Sequence, residues 1–595
     1  MIRNQSIKTV NKITKFLLKS IINIKIVLII LVTFFTKDLL PKDLDSLLSK
    51  ENFGGFGKFI LKRKKRERKK ISFDMYKEYE GKKISQIVII NKPPFNETND
   101  TTLLYTIAQS LNNVKIPTQE RVIRANLFVK EGDSLNSAEL VQNSIYLNSL
   151  PYFNKVRFTI TDDKEKEDSI NLFVTVEEKW TLNFTADIIN ERLFNFEVVE
   201  KNFLGSGYSL EGNLLFNADF LPRVGYGVKL NIPNKDNFNI DKTIYYRDDF
   251  DSKKYGFRSE KKILNSTQKF GGGIQFERIG NYVSKNSLKF RDESVTILMF
   301  LHRQLKLKKR VSSIKSIIFS PVFIKKHFIR RGIVKKDSMK LFHNRNYFGL
   351  STNLSKNRIL EASSIFSVDD KYSFYTGLRY ILNFGFEYGE YRNRYFLGGD
   401  FEASILKKDY YNGFKVGLSS FFTNRKYEQI KLYLNYRGFS KRFSIDEYLL
   451  RFHYQINLTS GFNRFSGEYL KFSGENIFRG YTKNKFKGTK RLQLKFEPVL
   501  FTNWSFYDFT TALFGFTDIN YIDNSNSFSF KSKRYYSFGI GIRVSNLKLI
   551  FGTFEFYISY LPDGVIDQDY YRFNMLENKR YNPYNNSYLN IYEFN

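Results

Sequence analysis

The chain has 595 residues, no cysteine, 61 Phe, 39 Tyr and a formal net charge of +35 at pH 7. Without cysteine it can form no disulfide scaffold, thiolate zinc site or iron–sulfur cluster, and it has no cysteine nucleophile. A hydrophobic content of 42%, with 17% aromatic residues, excludes intrinsic disorder, because a solvated coil carries far less apolar surface.

The positive charge is unevenly distributed along the chain. Residues 1–80 carry 19 basic and 8 acidic side chains (net +11), residues 81–179 carry 12 and 13 (net −1), and residues 180–595 hold the remaining +25. The region with the pattern of a small soluble domain is therefore close to neutral. We predict no folded basic surface for nucleic acid.

Residues 1–36 have the pattern of a signal or targeting segment. Six basic residues precede a mainly apolar segment of ten residues, 26–35, in which Thr33 is the one polar residue, and Lys37 follows it. A helix needs about 20 apolar residues to span a membrane, so the pattern favours a secretory signal over an anchor. An uncleaved anchor and a mitochondrial-type presequence remain alternatives. Residues 37–81, including the basic run 62–70, are predicted to be a basic linker near an anionic membrane face. A nuclear address or a phosphate-binding arm at 62–70 is the alternative.

Residues 82–179 have the pattern of a small α/β domain. A β-rich segment at 83–90 comes first, and two helical segments follow at 118–128 and 136–150. The second helix begins with a capping box, in which a Glu lies three residues after an Asn. Two segments with alternating apolar residues then predict a hairpin with one buried face. The predicted order is β-α-α-β-β.

Four ordered motifs in this region resemble those of a polypeptide-transport-associated (POTRA) domain. They lie at 118–123, 130–133, 147–156 and 174–178. In that family the domain lies in the periplasm and receives unfolded outer-membrane clients, which add a strand to an exposed sheet edge. Such strand addition needs an unpaired edge and no catalytic group. A small α/β spacer that binds nothing is the alternative.

Residues 180–595 alternate between apolar and polar residues with a period of two, for example at 226–232, 382–388, 450–458 and 554–560. The chain has no apolar stretch of about twenty residues that could span as a helix. Lys and Arg within these segments keep the parity of the polar face, as expected if lipid-facing Lys or Arg costs about 2–4 kcal/mol. A strand pair with its turns uses about 50 residues, so we predict a transmembrane antiparallel β-barrel of about sixteen strands with aromatic girdles at both interfaces. A soluble β-sandwich is the alternative.

Further motifs resemble the BamA/TamA/Sam-type outer-membrane assembly superfamily, whose members carry POTRA domains and a surface-antigen-type β-barrel. An early barrel motif lies at 200–210 and a glycine-bearing strand at 537–543. The motif of the loop that, in this family, folds back into the lumen is Phe478, Arg479, Gly480 and Tyr481. The resemblance implies that Glu497 and Asp518 are the lumenal acidic partners of the arginine.

The alternation of polar and apolar residues predicts a lumen-facing position for one of these two acidic residues. Glu497 shares parity with the polar Gln493 and is expected to face the lumen. Asp518 shares parity with Phe516, so only the resemblance places it inside. We predict that Arg479 latches the loop to Glu497, with Asp518 as second acceptor, because a buried guanidinium needs a fixed carboxylate. An exposed Arg-Gly turn is the alternative.

The resemblance implies an outer-membrane protein assembly or translocation factor that captures unfolded clients on its POTRA domain and inserts them through the barrel. The expected partners are unfolded β-barrel clients, accessory assembly proteins, and membrane lipid and glycolipid, with no nucleic acid. The expected location is the bacterial outer membrane, with the POTRA domain in the periplasm. A passive pore, a surface adhesin, or an exporter of a specific protein or surface glycolipid could have the same architecture.

The sequence shows no pattern typical of an enzyme. The four histidines, at His302, His327, His343 and His453, have no metal-ligand spacing. No Ser or Asp lies in a nucleophile elbow or a catalytic triad setting. We predict no catalytic residue, no metal site and no cofactor. An outer-membrane enzyme with carboxylates on its loops is the alternative.

Overall fold

The computed structural model describes most of the chain from residue 76 to residue 578. The described residues are 76–95, 110, 112–190, 193–217, 224–233, 240–265, 267–283, 289–306, 314–368, 371–407, 409–423, 426–470, 478–481, 486–506, 509–524, 533–546, 548–549, 553–562 and 570–578. The predicted signal segment 1–36 and residues 37–75 of the predicted basic linker lie outside these ranges.

The first folded unit, here called the α/β domain, has the predicted β-α-α-β-β order. Its elements are β1 (Lys83–Lys92), α1 (Glu120–Ala125), α2 (Ser137–Ser149), β2 (Phe153–Asp162) and β3 (Ser169–Glu178). Strand β3 lies in the centre of the sheet, parallel to β1 and antiparallel to β2. The side chain of Asn136 accepts a hydrogen bond from the backbone N–H of Glu139 at 3.2 Å, as the capping box predicts.

The second unit is a closed barrel of antiparallel strands, which confirms the predicted fold class. Its strands are β4 (Leu182–Asn190), β5 (Leu193–Phe203), β6 (Tyr208–Asn217), β7 (Val224–Ile232), β8 (Ile240–Asp248), β9 (Ser252–Lys261), β10 (Phe270–Tyr282), β11 (Phe290–Lys306), β12 (Ile314–Arg330), β13 (Arg345–Ser363), β14 (Lys371–Gly389), β15 (Asn393–Lys407), β16 (Tyr410–Phe422), β17 (Tyr427–Phe439), β18 (Phe443–Ile445), β19 (Tyr448–Phe462), β20 (Lys490–Phe506), β21 (Phe509–Asp523), β22 (Lys533–Ser545), β23 (Thr553–Tyr560) and β24 (Tyr571–Asn578). Each strand neighbours the next in sequence, and β24 lies beside β4.

The number of strands differs from the prediction of about sixteen. Strands β17 and β18 pair with successive parts of β19 and act as one interrupted strand, so the described residues form a wall of twenty strands. The prediction assumed about 50 residues for each strand pair. Several hairpins use fewer because their turns are short, and β15 and β16 together occupy only residues 393–422.

Two rows of aromatic side chains mark the lipid-facing surface. The first row contributes one ring from each strand from β12 to β17, each the register partner of the next: Phe323, Phe348, Phe386, Tyr395, Phe422 and Tyr427. The second row comprises Tyr380, Phe401, Phe414, Tyr436 and Tyr454. Along β14, β15 and β16 the rows are six to eight residues, or about 20–27 Å, apart. Because barrel strands tilt by about 35–45°, this spacing corresponds to about 14–22 Å of height, somewhat less than the apolar band of about 25 Å in a transmembrane barrel.

In the part of the chain that the structure describes, no helix is long and apolar enough to cross a membrane.

The α/β domain contacts two turns at one end of the barrel, here called the domain end; the opposite end is the far end. The backbone N–H of Gln119 donates to the carbonyl of Gly205, between β5 and β6, at 2.9 Å. The carboxylate of Glu139 accepts from the hydroxyl of Thr267, between β9 and β10, at 2.8 Å. These contacts fix the domain beneath the first strands of the barrel.

Candidate functional site

The loop between β19 and β20 packs against the inner face of the barrel wall. Phe478 is only 2% exposed, and its ring centroid lies 4.8 Å from that of Phe486. Phe486 lies 4.9 Å from the ring of Tyr535 on β22, and Tyr481 completes the cluster. The hydroxyl of Tyr481 donates to the carbonyl of Tyr536 at 3.0 Å. Aromatic packing therefore fixes the tip of the loop to β22.

Gly480 allows the tip to approach β23 closely. Its φ is +81°, and a Cβ at this position would lie 2.6 Å from the Oγ of Ser559. A side chain would therefore be strained and would collide with the wall. The motif thus has an apolar residue on each side of a short glycine turn that presents Arg479.

The guanidinium of Arg479 binds both carboxylates that the sequence assigns to it. Its Nε and Nη2 donate to Oδ2 and Oδ1 of Asp518 at 2.8 and 2.5 Å, which is a bidentate pair. Its Nη1 donates to Oε2 of Glu497 at 2.5 Å. The centre of the guanidinium lies 3.9 Å from the centroid of the Phe516 ring. We call Arg479, Glu497 and Asp518 the latch.

The structure reverses the predicted order of the two acceptors. Asp518 is fully buried and accepts two hydrogen bonds from Arg479, whereas Glu497 accepts only one from Arg479. Alternation did not place Asp518 inside because Phe514 and Phe516 share its face. Both rings are 4% exposed and face the lumen, where the guanidinium group of an arginine stacks on each of them. In the structure Asp518 lies inside the barrel, as the family resemblance implies, although alternation does not indicate it.

A second arginine, which the sequence did not assign to the site, shares Glu497 with the loop. Nη2 of Arg543 donates to Oε1 of Glu497, and its Nε donates to Oε1 of Glu555, each at 2.7 Å. Its guanidinium lies 4.3 Å from the centroid of Phe514. The only sequence signals were that Arg543 ends the glycine-bearing strand motif and that Glu555 alternates with apolar residues. Glu497 therefore links the loop to β22 and β23.

Two glycines of β22 make room for the aromatic rings beneath the arginines. A Cβ on Gly539 would lie 2.4 Å from Cε1 of Phe516, and a Cβ on Gly541 would lie 2.8 Å from Cε1 of Phe514. Ordinary carbon–carbon contacts are about 3.5–4.0 Å. The glycines in the motif 537–543 therefore serve the packing of β21 against β22 under the latch.

The base of the loop is held by a second polar cluster near the far end. Arg394 is 1% exposed and donates through Nε to Oε1 of Glu387 at 2.8 Å and through Nη1 to Oε1 of Gln429 at 2.8 Å. Nε2 of Gln429 donates to Glu468 in the first part of the loop at 3.0 Å. Arg464 also forms an ion pair with Glu468. Ionic and polar contacts thus hold the loop at both its base and its tip.

The arrangement can hold or release a loop, because ion pairs and packed rings join the loop to β20, β21 and β22, and a hydrogen bond joins it to β17. Within the described ranges, no group of three or more His, Asp or Glu side chains is placed to hold a metal ion.

Comparisons with known proteins gave matches among solved structures. No family model and no curated protein matches the chain. The chain is similar to CdiB from Acinetobacter baumannii at 12% identity and a TM-score of 0.41, over 84% of this chain and 74% of that one. It is similar to CdiB from Escherichia coli at 11% identity and a TM-score of 0.40, over 83% and 76%. It is also similar to BamA from Haemophilus ducreyi lacking POTRA domains 1–3 at 11% identity and a TM-score of 0.31, over 83% of each chain.

Proposed function

We propose that this chain is an outer-membrane protein of the BamA/TamA/Sam type that assembles or translocates β-rich protein clients, with the α/β domain acting as a periplasmic POTRA domain. The observation that carries the proposal is the latch. A loop held inside the lumen by Arg479, Glu497 and Asp518 keeps the barrel occupied until its ion pairs are broken. Such a latch suits a barrel whose lumen opens only when a client engages it. The proposed activity is binding and transfer rather than catalysis.

Strand β2 offers a place to capture a client. It pairs with β3 on one side only, and its other edge carries no strand in the part of the chain that the structure describes. The amide of Asn148 accepts from the N–H of Val156 at 2.9 Å and donates to its carbonyl at 3.1 Å. A strand lying on this edge would make the same two bonds. An extended client segment can therefore replace Asn148 and continue the sheet.

The junction between β24 and β4 suits lateral transfer of the client. Strands β4 and β24 are neighbours in the barrel but are the first and last of its described strands in sequence, so no turn joins them into a hairpin. Such a junction can open without breaking a hairpin, and an open edge in lipid is unfavourable until a client strand covers it. We place the client's entry into the membrane at this junction.

Depletion of the protein in its native host tests the proposal. We expect a general loss of β-barrel proteins from the outer membrane, measured by quantitative proteomics, with recovery when the wild-type chain is restored. An unchanged outer-membrane proteome, together with ion conductance of the purified protein, would instead support a passive pore. Loss of one surface protein or glycolipid alone would support a dedicated exporter.

A further inference from the structure

The turn that joins β13 to β14 at the domain end bends into the lumen. We call its described residues, 364–368, the inner turn. Ile365 is 2% exposed and Ser367 is 3% exposed, although both lie in a turn rather than in a strand. The ring of Phe366 stacks on that of His453 of β19, with centroids 5.5 Å apart and an angle of 21° between the planes. A turn on the outside of the barrel mouth would leave these side chains in water.

A buried arginine holds the inner turn in place. Nη1 of Arg451 donates to the carbonyl of Ser364 at 2.9 Å and to that of Ser363 at 3.3 Å. Its Nη2 lies 2.9 Å from Oδ2 of Asp409, in the neighbouring turn between β15 and β16. Arg451 is fully buried, and the carboxylate of Asp409 compensates its charge. Its Nη1 remains available to bind the two carbonyls of the inner turn and of Ser363.

The inner turn also reaches the cluster that holds the latch. The guanidinium of Arg543, which binds Glu497, lies 5.8 Å from the ring centroid of Phe366. Val368 packs against the apolar cluster that includes Phe514 and Phe516. The loop from the far end and the turn from the domain end therefore rest on opposite sides of one set of side chains.

We propose that the inner turn is a second closure of the lumen, coupled to the latch through Arg543, with Phe366 as a positioning residue for that arginine. When Arg479 leaves, Glu497 loses one of its two cations and Phe516 loses the group stacked on it. Arg543 then moves toward the freed carboxylate, and the inner turn loses the surface on which Phe366 and Val368 lie. A client that enters the lumen from the domain end therefore finds both closures released together.

The absence of cysteine from the chain provides a direct test. A single Ser367→Cys substitution is nearly isosteric, and its thiol is the only one in the protein. We expect the purified full-length protein, in vesicles of neutral phospholipid, to react with a water-soluble maleimide at least ten-fold more slowly than the same protein after denaturation. Adding Arg479→Ala should raise that rate at least ten-fold.

The matched control is Ser351→Cys. Ser351 is equally buried and lies on β13, the strand that leads into the inner turn, where it faces the lumen away from the latch, so its slow labelling should not change with Arg479→Ala. If the control thiol also becomes reactive, the variant has lost its fold, and the isosteric Asp518→Asn, which removes the bidentate partner, decides instead. Fast labelling of the Ser367→Cys protein with the latch intact would overturn the closure.

Slow labelling of the Ser367→Cys protein that neither Arg479→Ala nor Asp518→Asn accelerates would overturn the coupling. The inference rests on the latch of the proposed function but not on the client. The labelling rates do not depend on client insertion, so a failed insertion assay would leave this result standing.

Discussion

The stacking of guanidinium groups on lumen-facing aromatic rings explains why alternation did not predict the inward position of Asp518. Arg479 lies over Phe516, and Arg543 lies over Phe514, on the inner face of β21. Desolvated contacts of this kind are worth about 2 kcal/mol or more. A period-two pattern classes aromatic residues with the lipid face, so it places Glu497 correctly and leaves Asp518 undecided. Spacing within one strand cannot show that a ring serves a cation from a distant loop.

Asp518→Asn tests the strength of the latch. The amide keeps the shape of the carboxylate but removes its charge and one acceptor, so the bidentate pair with Arg479 is lost. Breaking one partner of a buried pair costs about 3–5 kcal/mol. We expect the loop between β19 and β20 to become sensitive to added protease in the purified protein, as measured by the cleavage rate.

Lys229→Gln is the control for this prediction. Lys229 also faces the lumen and forms an ion pair with Glu211 at 3.1 Å, but its side chain is 44% exposed. Such a pair contributes about 0–1 kcal/mol. Loop cleavage should match that of the wild type. Equal cleavage of Asp518→Asn and Lys229→Gln would show that the latch does not hold the loop.

Gly539→Ala tests the room under the stacked rings. The new Cβ would lie 2.4 Å from Phe516, so the ring must move away from Arg479. Overpacking of this kind costs about 1–3 kcal/mol. We expect a lower Tm in detergent and faster loop cleavage. Gly515→Ala, in the neighbouring strand β21, is the control because its nearest neighbours would lie at 3.7 Å, and a comparable loss there would contradict the account.

At the scale of the elements, local signals predicted the α/β domain better than the barrel. Capping and turn residues predicted the position of α2. Helix α1 was predicted to continue to residue 128 but ends at Ala125. Just after this end, the side-chain amide of Asn126 donates to the carbonyl of Val122 at 2.7 Å. Alternation showed that strands exist but not how many. The interruption between β17 and β18 depends on pairing between strands, which no single segment displays.

The inner turn shows the limit of local pattern most clearly. Nothing in the residues from Ser363 to Val368 distinguishes a turn in water from a turn inside the lumen. Its position depends on Arg451, which lies 83 residues beyond Val368 in the chain. A burial that is set by a distant cation has no signature in a sequence window.

Asn148→Ala tests the proposed capture edge of the α/β domain. The substitution removes the amide that occupies the edge and leaves the N–H and carbonyl of Val156 for a client strand. Each of the two hydrogen bonds contributes about 1 kcal/mol, so the Kd for a labelled, amphipathic peptide of alternating aromatic and polar residues should fall about 30-fold in the full-length protein.

Arg157→Ala provides the comparison for the capture edge. Arg157 is on the same strand, but its exposed side chain lies 3.5 Å from Glu177 and does not touch the edge groups of Val156. Its peptide affinity should equal that of the wild type. If Asn148→Ala leaves the affinity unchanged or weakens it, clients do not bind by adding a strand to β2.

At the scale of the whole molecule, the barrel closes where its first and last described strands, β4 and β24, lie side by side. A closed barrel leaves no strand edge in lipid, so this junction must open before a client strand can pair with it. The proposed lateral transfer therefore depends on this junction.

The most direct measurement is client insertion by the purified full-length protein in phospholipid vesicles. An unfolded outer-membrane β-barrel protein is added, and its folding is followed over time by protease protection and heat-modifiable gel mobility. The account predicts that vesicles with the wild-type chain fold the client at least ten-fold faster than empty vesicles, and that Arg479→Ala loses most of this acceleration while Lys229→Gln keeps it. Wild-type vesicles that conduct ions but fold the client no faster than empty vesicles would contradict it.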